Sequence, residues 1–231
     1  MTRRKILVVA AHPDDEVLGV GGTVLRHVAE GDTVHVMILA EGLTSRDVTR
    51  NVAECREALS ELHETAQRVA ESMGVSKLFM EKFPDNRMDG VHLLDVVKRI
   101  EAVVDAFTPD IVYTHHGGDV NVDHQIAHDA VLTATRPVPG SAAPNLYFFE
   151  TLSSTEWQIQ TSNRAFLPTF FVDIEPYIEK KLEVLRLYER EMRNYPHSRS
   201  YEAVEALAKL RGVTAGVRTA EAFAVGRMYW K

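Results

Sequence analysis

Lys5-Ile6-Leu7-Val8-Val9-Ala10, followed at once by Ala11-His12-Pro13-Asp14-Asp15-Glu16, decides the fold. Five apolar residues in an unbroken run, bounded by a proline and charges, have the length and composition of a buried strand. A strand that is apolar on both faces belongs in a parallel sheet covered by helices on each side. At its C-terminal end this strand delivers an imidazole and three carboxylates within five positions, followed by Gly19, Gly21 and Gly22. Open α/β sheets bind ligands outside the carboxyl ends of their strands. Carboxylates crowded together repel one another unless protons or a cation compensate them. The stretch therefore predicts a metal site at a sheet edge. Asp14, Asp15 and Glu16 also suit the first turn of a helix, where carboxylates complement the dipole.

Outward from this stretch the pattern alternates. Strands are expected at 5–10, 33–40, 77–82 and 110–114, and helices at 21–30, 53–73, 91–107 and 123–135. Gly31 and Gly74 stand where helix stops belong. Past the proline-punctuated segment 137–144, strands are expected at 145–152 and 169–173, and helices at 175–193 and 201–211, before the tail 220–230. Strands alternating with helices of this length form βαβ units. The expected fold class is α/β, Rossmann-like: one mostly parallel sheet with helices on both faces. With no repeat, low-complexity linker or shift in composition, residues 1–231 are expected to form a single domain.

Composition narrows the function classes. Hydrophobic residues make up 45% of the 231 residues and charged residues 26%, ordinary for a globular protein. A net charge of −7 argues against a nucleic-acid partner, which calls for a basic face. Lone Cys55 excludes an intramolecular disulfide and a cysteine-rich zinc site. No stretch reaches the roughly 18 apolar residues of a membrane span, and the basic start precedes too short an apolar run for a secretory signal. The expectation is a cytoplasmic protein without a membrane partner.

A second constellation, His115-His116-Gly117-Gly118-Asp119-Val120-Asn121-Val122-Asp123-His124-Gln125-Ile126-Ala127-His128, also follows a strand and reaches the same sheet edge. His124 and His128 share a helix face, but Gln125 stands where a zincin needs its glutamate. Combined, the two stretches supply two histidines and a carboxylate, and three protein ligands with an open position mark a catalytic metal. Zn2+ suits this set, and so does Fe2+ in a facial triad. Gly19-Val20-Gly21-Gly22 lacks the spacing of a dinucleotide-binding turn.

At these residues the chain resembles the PIG-L/LmbE family of zinc-dependent N-acetylglucosaminyl deacetylases. The resemblance rests on Ala11–Glu16 with the glycines after it and on Asp123-His124. It extends to Phe83-Pro84-Asp85-Asn86-Arg87, and to Arg211-Gly212, Gly216 and Ala220-Glu221-Ala222-Phe223. It implies a Rossmann-like hydrolase that removes the N-acetyl group from an N-acetylglucosamine-type amino sugar or its conjugate. Carried over by position, His12, Asp15 and His124 are the implied metal ligands, Asp14 is the implied general base, and Asp123 orients a neighbouring side chain. Relatives carry a histidine three positions before the last ligand, where this chain has Asn121. An amide donates a hydrogen bond but delivers no proton. Either Asp14 returns the proton it took, or His115, His116 or Asp119 supplies one. The expected arrangement is Asp14 with a supporting histidine, with His116 and Asn121 among the catalytic candidates.

Arg46, after the second strand, and Asp85, Asn86 and Arg87, after the third, are the substrate-binding candidates. Their hydrogen-bonding groups suit a polyhydroxylated ring, and an arginine suits a phosphate. The expected partner is a small N-acetylated amino sugar, phosphorylated or nucleotide-linked in some forms, bound by a chain that forms homo-oligomers as its relatives do. Two other readings use the same residues: a non-haem Fe(II) oxygenase with a His12, Asp14, His124 triad, and a non-catalytic sugar- or nucleotide-binding relative. The loop Tyr195–Ser200 either covers the pocket or caps the helix after it.

Overall fold

The computed structural model describes residues 3–46, 49–139 and 143–228. Met1, Thr2, the middle of the 137–144 segment and Trp230 lie outside the described residues. The apolar run forms β1 (Lys5–Ala10), and Asp15–Ala29 forms α1. Then follow β2 (Thr33–Ala40), α2 (Arg56–Met73), β3 (Lys77–Phe83), α3 (Leu93–Phe107), β4 (Ile111–His115), α4 (Val122–Ala134) and β5 (Asn145–Phe149). The chain closes with β6 (Phe170–Asp173), α5 (Ile178–Leu185), α6 (Tyr201–Ala215) and β7 (Ala220–Arg227).

The strands form one seven-stranded sheet in the order β3-β2-β1-β4-β5-β7-β6. β1 to β5 are mutually parallel, and β7 runs antiparallel between β5 and β6. Side chains alternate across a strand, so each strand feeds two cores. Ile6, Val8, Val36, Ile38 and Tyr113 pack toward α1, α2 and α5; Leu7, Val9, Met37, Leu39 and Val112 pack toward α3 and α4. Burial on both faces is why β1 reads as an unbroken apolar run.

The order reverses direction at β1, which pairs with β2 on one side and β4 on the other. Such a switch point opens a crevice between the carboxyl ends of the two central strands. Val8 lies opposite Tyr113, so the stretches after Ala10 and Thr114 leave the sheet side by side.

Two expectations about helices need correction. α1 begins at Asp15, not Gly21, and contains all three glycines. They are there for close packing: a Cβ on Gly19 would sit 2.2 Å from a ring carbon of Phe149, and one on Gly22 would sit 2.8 Å from Ile174. Inside α1, Lys181 Nζ donates to the Leu18 carbonyl and to Glu221, whose carboxylate accepts the N–H groups of Gly22 and Thr23. The long helix expected at 175–193 is divided. A 3-10 turn at Glu175–Tyr177 leads into α5, and a second at Arg186–Glu191 breaks helical geometry at Tyr188. There the Tyr188 hydroxyl donates to Glu16 at 2.7 Å, a tertiary bond that no periodicity encodes.

Candidate active site

The crevice is built from the two loops that leave β1 and β4. Ala11 continues β1, and its N–H donates to Nε2 of His115 at 2.9 Å, which ties the loops together. His12, which precedes Pro13 and so favours an extended backbone, points off the strand end. Its N–H donates to Asp15 Oδ2 at 2.9 Å, and its Nδ1 lies 3.2 Å from the same oxygen. His124, in the first turn of α4, places Nε2 3.2 Å from that oxygen as well. His12, Asp15 and His124 are buried, and one donor atom from each lies within 4.8 Å of the others. Asp15 Oδ1 is buried without a hydrogen-bond partner among the described residues, and the ring nitrogens of His124, though close to Asp15 and Asp119, are not aligned for a hydrogen bond to them. Buried polar atoms are almost always satisfied, so this convergence of carboxylate and imidazole donors fits a bound cation.

Behind each histidine stands a second carboxylate. Asp123 Oδ2 lies 3.0 Å from His12 Nε2, and Asp119 Oδ2 lies 3.1 Å from His124 Nδ1. Asp123 is itself held by the N–H groups of Asn86 at 2.7 Å and Met88 at 2.9 Å. Asp119 is held by the Thr155 hydroxyl at 2.8 Å. Carboxylates behind metal-binding histidines set their tautomer and orientation.

Asp14 differs from its neighbour in conformation and company. It has φ of 118°, a region L-residues seldom adopt, and it starts α1 through its carbonyl without capping it through its side chain. This backbone turns the side chain away from Asp15 and toward the cavity. There Oδ2 accepts from Arg199 Nη1 at 2.6 Å, while Oδ1 is buried with no partner among the described residues. Capping is thus not what Asp14 does, although Asp15 and Glu16 do occupy the first turn of α1. The triad of His12, Asp14 and His124 is not brought together, because Asp14 faces Arg199 and Asp15 takes the place between the histidines.

The electrostatics follow from burial and neighbours. Burial pushes Asp15 up, but His124, His115 and His12 outweigh it and hold the carboxyl well below its ordinary range. Burial pushes His124 down, but Asp15 and Asp119 raise it to about 9. His12 is held well above its ordinary value, burial being outweighed by Asp123 and Asp15. Asp14 is raised well above a normal carboxylate by burial, with Arg199 opposing. Burial lifts Glu16 to about 7.

A cavity of about 260 Å3 opens over this floor, lined by His12, Asp14, Asp85, Asn86 and Asn121 on one side and by Trp157, His197 and Arg199 on the other. Asp85 is buried and accepts the Ser45 N–H at 2.9 Å. Asn121 is the N-cap of α4: its Oδ1 accepts the Asp123 N–H at 2.9 Å, and its Nδ2 donates to Asn86 Oδ1 at 2.8 Å.

Other expected residues stand elsewhere. His116 does not line the cavity; its Nε2 lies 3.0 Å from the Arg164 carbonyl and its ring meets Phe166 edge-on. His115 spends Nε2 on the Ala11 N–H and sets Nδ1 3.3 Å from the Thr151 hydroxyl, so neither nitrogen is left for a leaving group. Arg87 is exposed and outside the cavity lining. The Arg46 backbone ends a 3-10 turn at Thr44–Arg46, and its side chain lies outside the described part.

Sequence reasoning missed Arg199, the partner of Asp14 from 185 positions away. It also missed Trp157, and it offered Asp119 as one alternative proton source, whereas the structure sets it behind His124. The alternation Asp119, Asn121, Asp123 before His124 was the available signal for two carboxylates flanking one turn; nothing local announces Arg199. The loop Tyr195–Ser200 does both things expected of it, since His197 and Arg199 line the cavity and Ser200 Oγ accepts the Ala203 N–H to cap α6.

Comparison with known proteins bears on the family and the fold. A family model described as PIG-L: GlcNAc-PI de-N-acetylase matches residues 7–135. The probable N-acetyl-alpha-D-glucosaminyl L-malate deacetylase 2 of Bacillus anthracis is 25% identical over 187 residues, covering 80% of each chain. The N,N'-diacetylchitobiose deacetylase of Pyrococcus horikoshii superposes with a TM-score of 0.75 at 20% identity, over 96% of this chain and 83% of that one. GalB, the 4-carboxy-2-hydroxymuconate hydratase of Pseudomonas putida, superposes with a TM-score of 0.73 at 24% identity, over 99% of this chain and 98% of that one.

Proposed function

The chain belongs to the PIG-L family, and from that premise we propose that it is a metal-dependent hydrolase removing the acetyl group from an N-acetylglucosamine-type amino sugar or its conjugate. The observation that carries the reading is the buried His12, Asp15, His124 cluster with Asp14 turned beside it into the cavity. Those three residues would hold the ion, and Zn2+ or Fe2+ fits the donors. Such an ion supplies a Lewis acid toward the amide carbonyl and lowers the pKa of water bound to it.

The protein's own groups do the rest. Asp14 takes the proton of the attacking water on its unpartnered Oδ1 and returns it to the departing amine, because Asn121 has no proton to deliver and His12 is committed to the ion. Arg199 holds the other oxygen, so the carboxylate presents one edge to the reaction. Asp123 and Asp119 keep His12 and His124 in register. Asn121 and Asn86 offer amide groups to the sugar, and Asp85 borders the same side. Conjugates bearing phosphate or a nucleotide belong to the substrate class we propose to test.

The shared fold does not by itself choose amide hydrolysis over the addition of water to a double bond, since function lives in the site. The deciding experiment incubates zinc-loaded protein with N-acetylglucosamine, its phosphates and its nucleotide conjugates and measures free acetate and free amine in parallel. Equal release of both from at least one compound is the expected result. No release from any of them, with the metal bound, overturns the reading. Metal analysis with oxygen-uptake measurements separates it from the oxygenase alternative.

A further inference from the structure

Trp157 lines the cavity, and the residue is 56% exposed. A large aromatic surface left in water forfeits the gain of burial, and here that surface borders a polar cavity. The floor of the cavity is polar and closed, with Asp14 at 1% and His12 at 8% exposure. A pocket of about 260 Å3 is small beside the usual roughly 300–1,000 Å3 range for ligand sites. It holds the reacting ring and leaves whatever is attached to that ring at the mouth.

The indole is not on a loose loop. The His197 ring meets it edge-on with centroids 5.5 Å apart. Four residues earlier, Ser153 Oγ accepts from Arg199 Nε at 2.6 Å, and Arg199 in turn holds Asp14. Two residues earlier, Thr155 donates to Asp119, the carboxylate behind His124. The turn carrying Trp157 is therefore pinned to the machinery at two points, which sets the indole at a defined place relative to the reacting bond.

Ser153, His197 and Arg193 line the cavity beside the indole. A bare aromatic face bordered by hydrogen-bonding groups suits a ligand with an apolar face and a hydroxylated rim, which is the chemistry of a pyranose ring. An acyl chain or lipid calls for apolar neighbours on every side, whereas the lining is mostly polar, with Pro13, Leu43 and Leu62 its apolar members besides Trp157.

We infer that Trp157 is a specificity-determining platform on which a second sugar ring, attached to the reacting N-acetylhexosamine, stacks during turnover. This rests on the deacetylase reading for the ring in the cavity. The chain has two tryptophans, so emission is titrated with N-acetylglucosamine and with N,N'-diacetylchitobiose in the full protein, in Trp157→Ala and in Trp157→Tyr. Acetate release from both sugars is measured for the same proteins. The disaccharide is expected to shift the emission of the full protein, and the Trp230 emission left in Trp157→Ala is expected not to respond. In Trp157→Ala the KM for the disaccharide should rise about tenfold with kcat within about twofold, and KM for the monosaccharide should move less than about twofold. Trp157→Tyr should recover most of the loss.

A disaccharide KM indifferent to Trp157→Ala, or a loss equal for both sugars, overturns the platform while acetate release leaves the deacetylase reading intact. An emission shift by the disaccharide, lost in Trp157→Ala, supports the platform even where neither sugar releases acetate; the deacetylase reading falls separately, when no compound of the wider N-acetylglucosamine panel releases acetate. Absence of both an emission shift and a difference in KM between the two sugars also overturns the platform.

Discussion

Asp14 and Asp15 are adjacent, chemically identical and placed in opposite situations. Asp15 lies among three imidazoles, which favour its charged form, while Asp14 meets one guanidinium and several carboxylates. The left-handed backbone at Asp14 produces this division, because in a regular strand or helix the two side chains could not converge on one site from different sides. The consequence is testable residue by residue. Asp14→Asn should lower acetate release about 10^2- to 10^4-fold, the usual contribution of a positioned base, while metal content after dialysis stays at the level of the parent; turnover near that of the parent would remove Asp14 from the reaction. His124→Ala should release the metal, since it leaves Asp15 and His12 as an incomplete set; full occupancy by elemental analysis would overturn the ligand assignment. At this scale the sequence was informative about which residue types meet. It was silent on Arg199, because a salt bridge closed across 185 positions leaves no local pattern.

At the scale of the element, α1 shows how a glycine-rich stretch is misread. Three glycines in four positions weaken a helix by propensity, and the expected start stood at Gly21, among them and not before them. Tertiary contact outweighs propensity here, because the glycines let the helix approach Phe149 and Ile174 with no Cβ between. Gly19→Ala should destabilise the fold by about 1–3 kcal/mol through overpacking, despite alanine's better helix propensity. Urea denaturation at equal m-value is the measurement; a neutral or stabilising result would show that the Phe149 ring yields without cost. The segment after Ile174 failed for the opposite reason. Its apolar spacing is helical throughout, and the break at Tyr188 comes from a hydroxyl reaching Glu16 in α1, which periodicity does not register.

At the scale of the whole molecule, the sheet separates two regions of different chemistry. The carboxyl ends of the strands carry the cavity, and near the amino end of β1 a network holds the chain start to α1. Arg4 donates to Asp32 through its backbone N–H and its Nε, both at 2.9 Å, and His27 Nδ1 lies 2.7 Å from the same carboxylate. Burial works to raise Asp32, but the Arg4 and His27 bonds prevail and hold it below its ordinary value. A carboxyl lowered in the folded state stabilises the fold above its unfolded pKa of about 3.9, and that contribution disappears as pH falls through the folded value. Asp32→Asn should therefore cost about 1–2 kcal/mol near neutral pH, with the gap closing below about pH 4. Urea denaturation at several pH values checks it; a gap independent of pH would mean that shape, and not charge, is what Asp32 contributes. Among the described residues no helix is long and apolar enough to cross a membrane.

The sequence by itself determined the fold class, the strand that carries the first motif and the residue types at both loop ends. Those follow from short-range regularities: apolar runs, helical spacing, and a proline that keeps His12 extended. Only the tertiary structure decided that β1 and β4 are neighbours, that Asp123 and Asp119 stand behind the histidines, that His116 turns away, and that Arg199 and Trp157 complete the cavity. Each of these depends on which strand ends share the switch point and on side chains meeting across tens of residues, and local physics carries no record of such meetings until the sheet has closed.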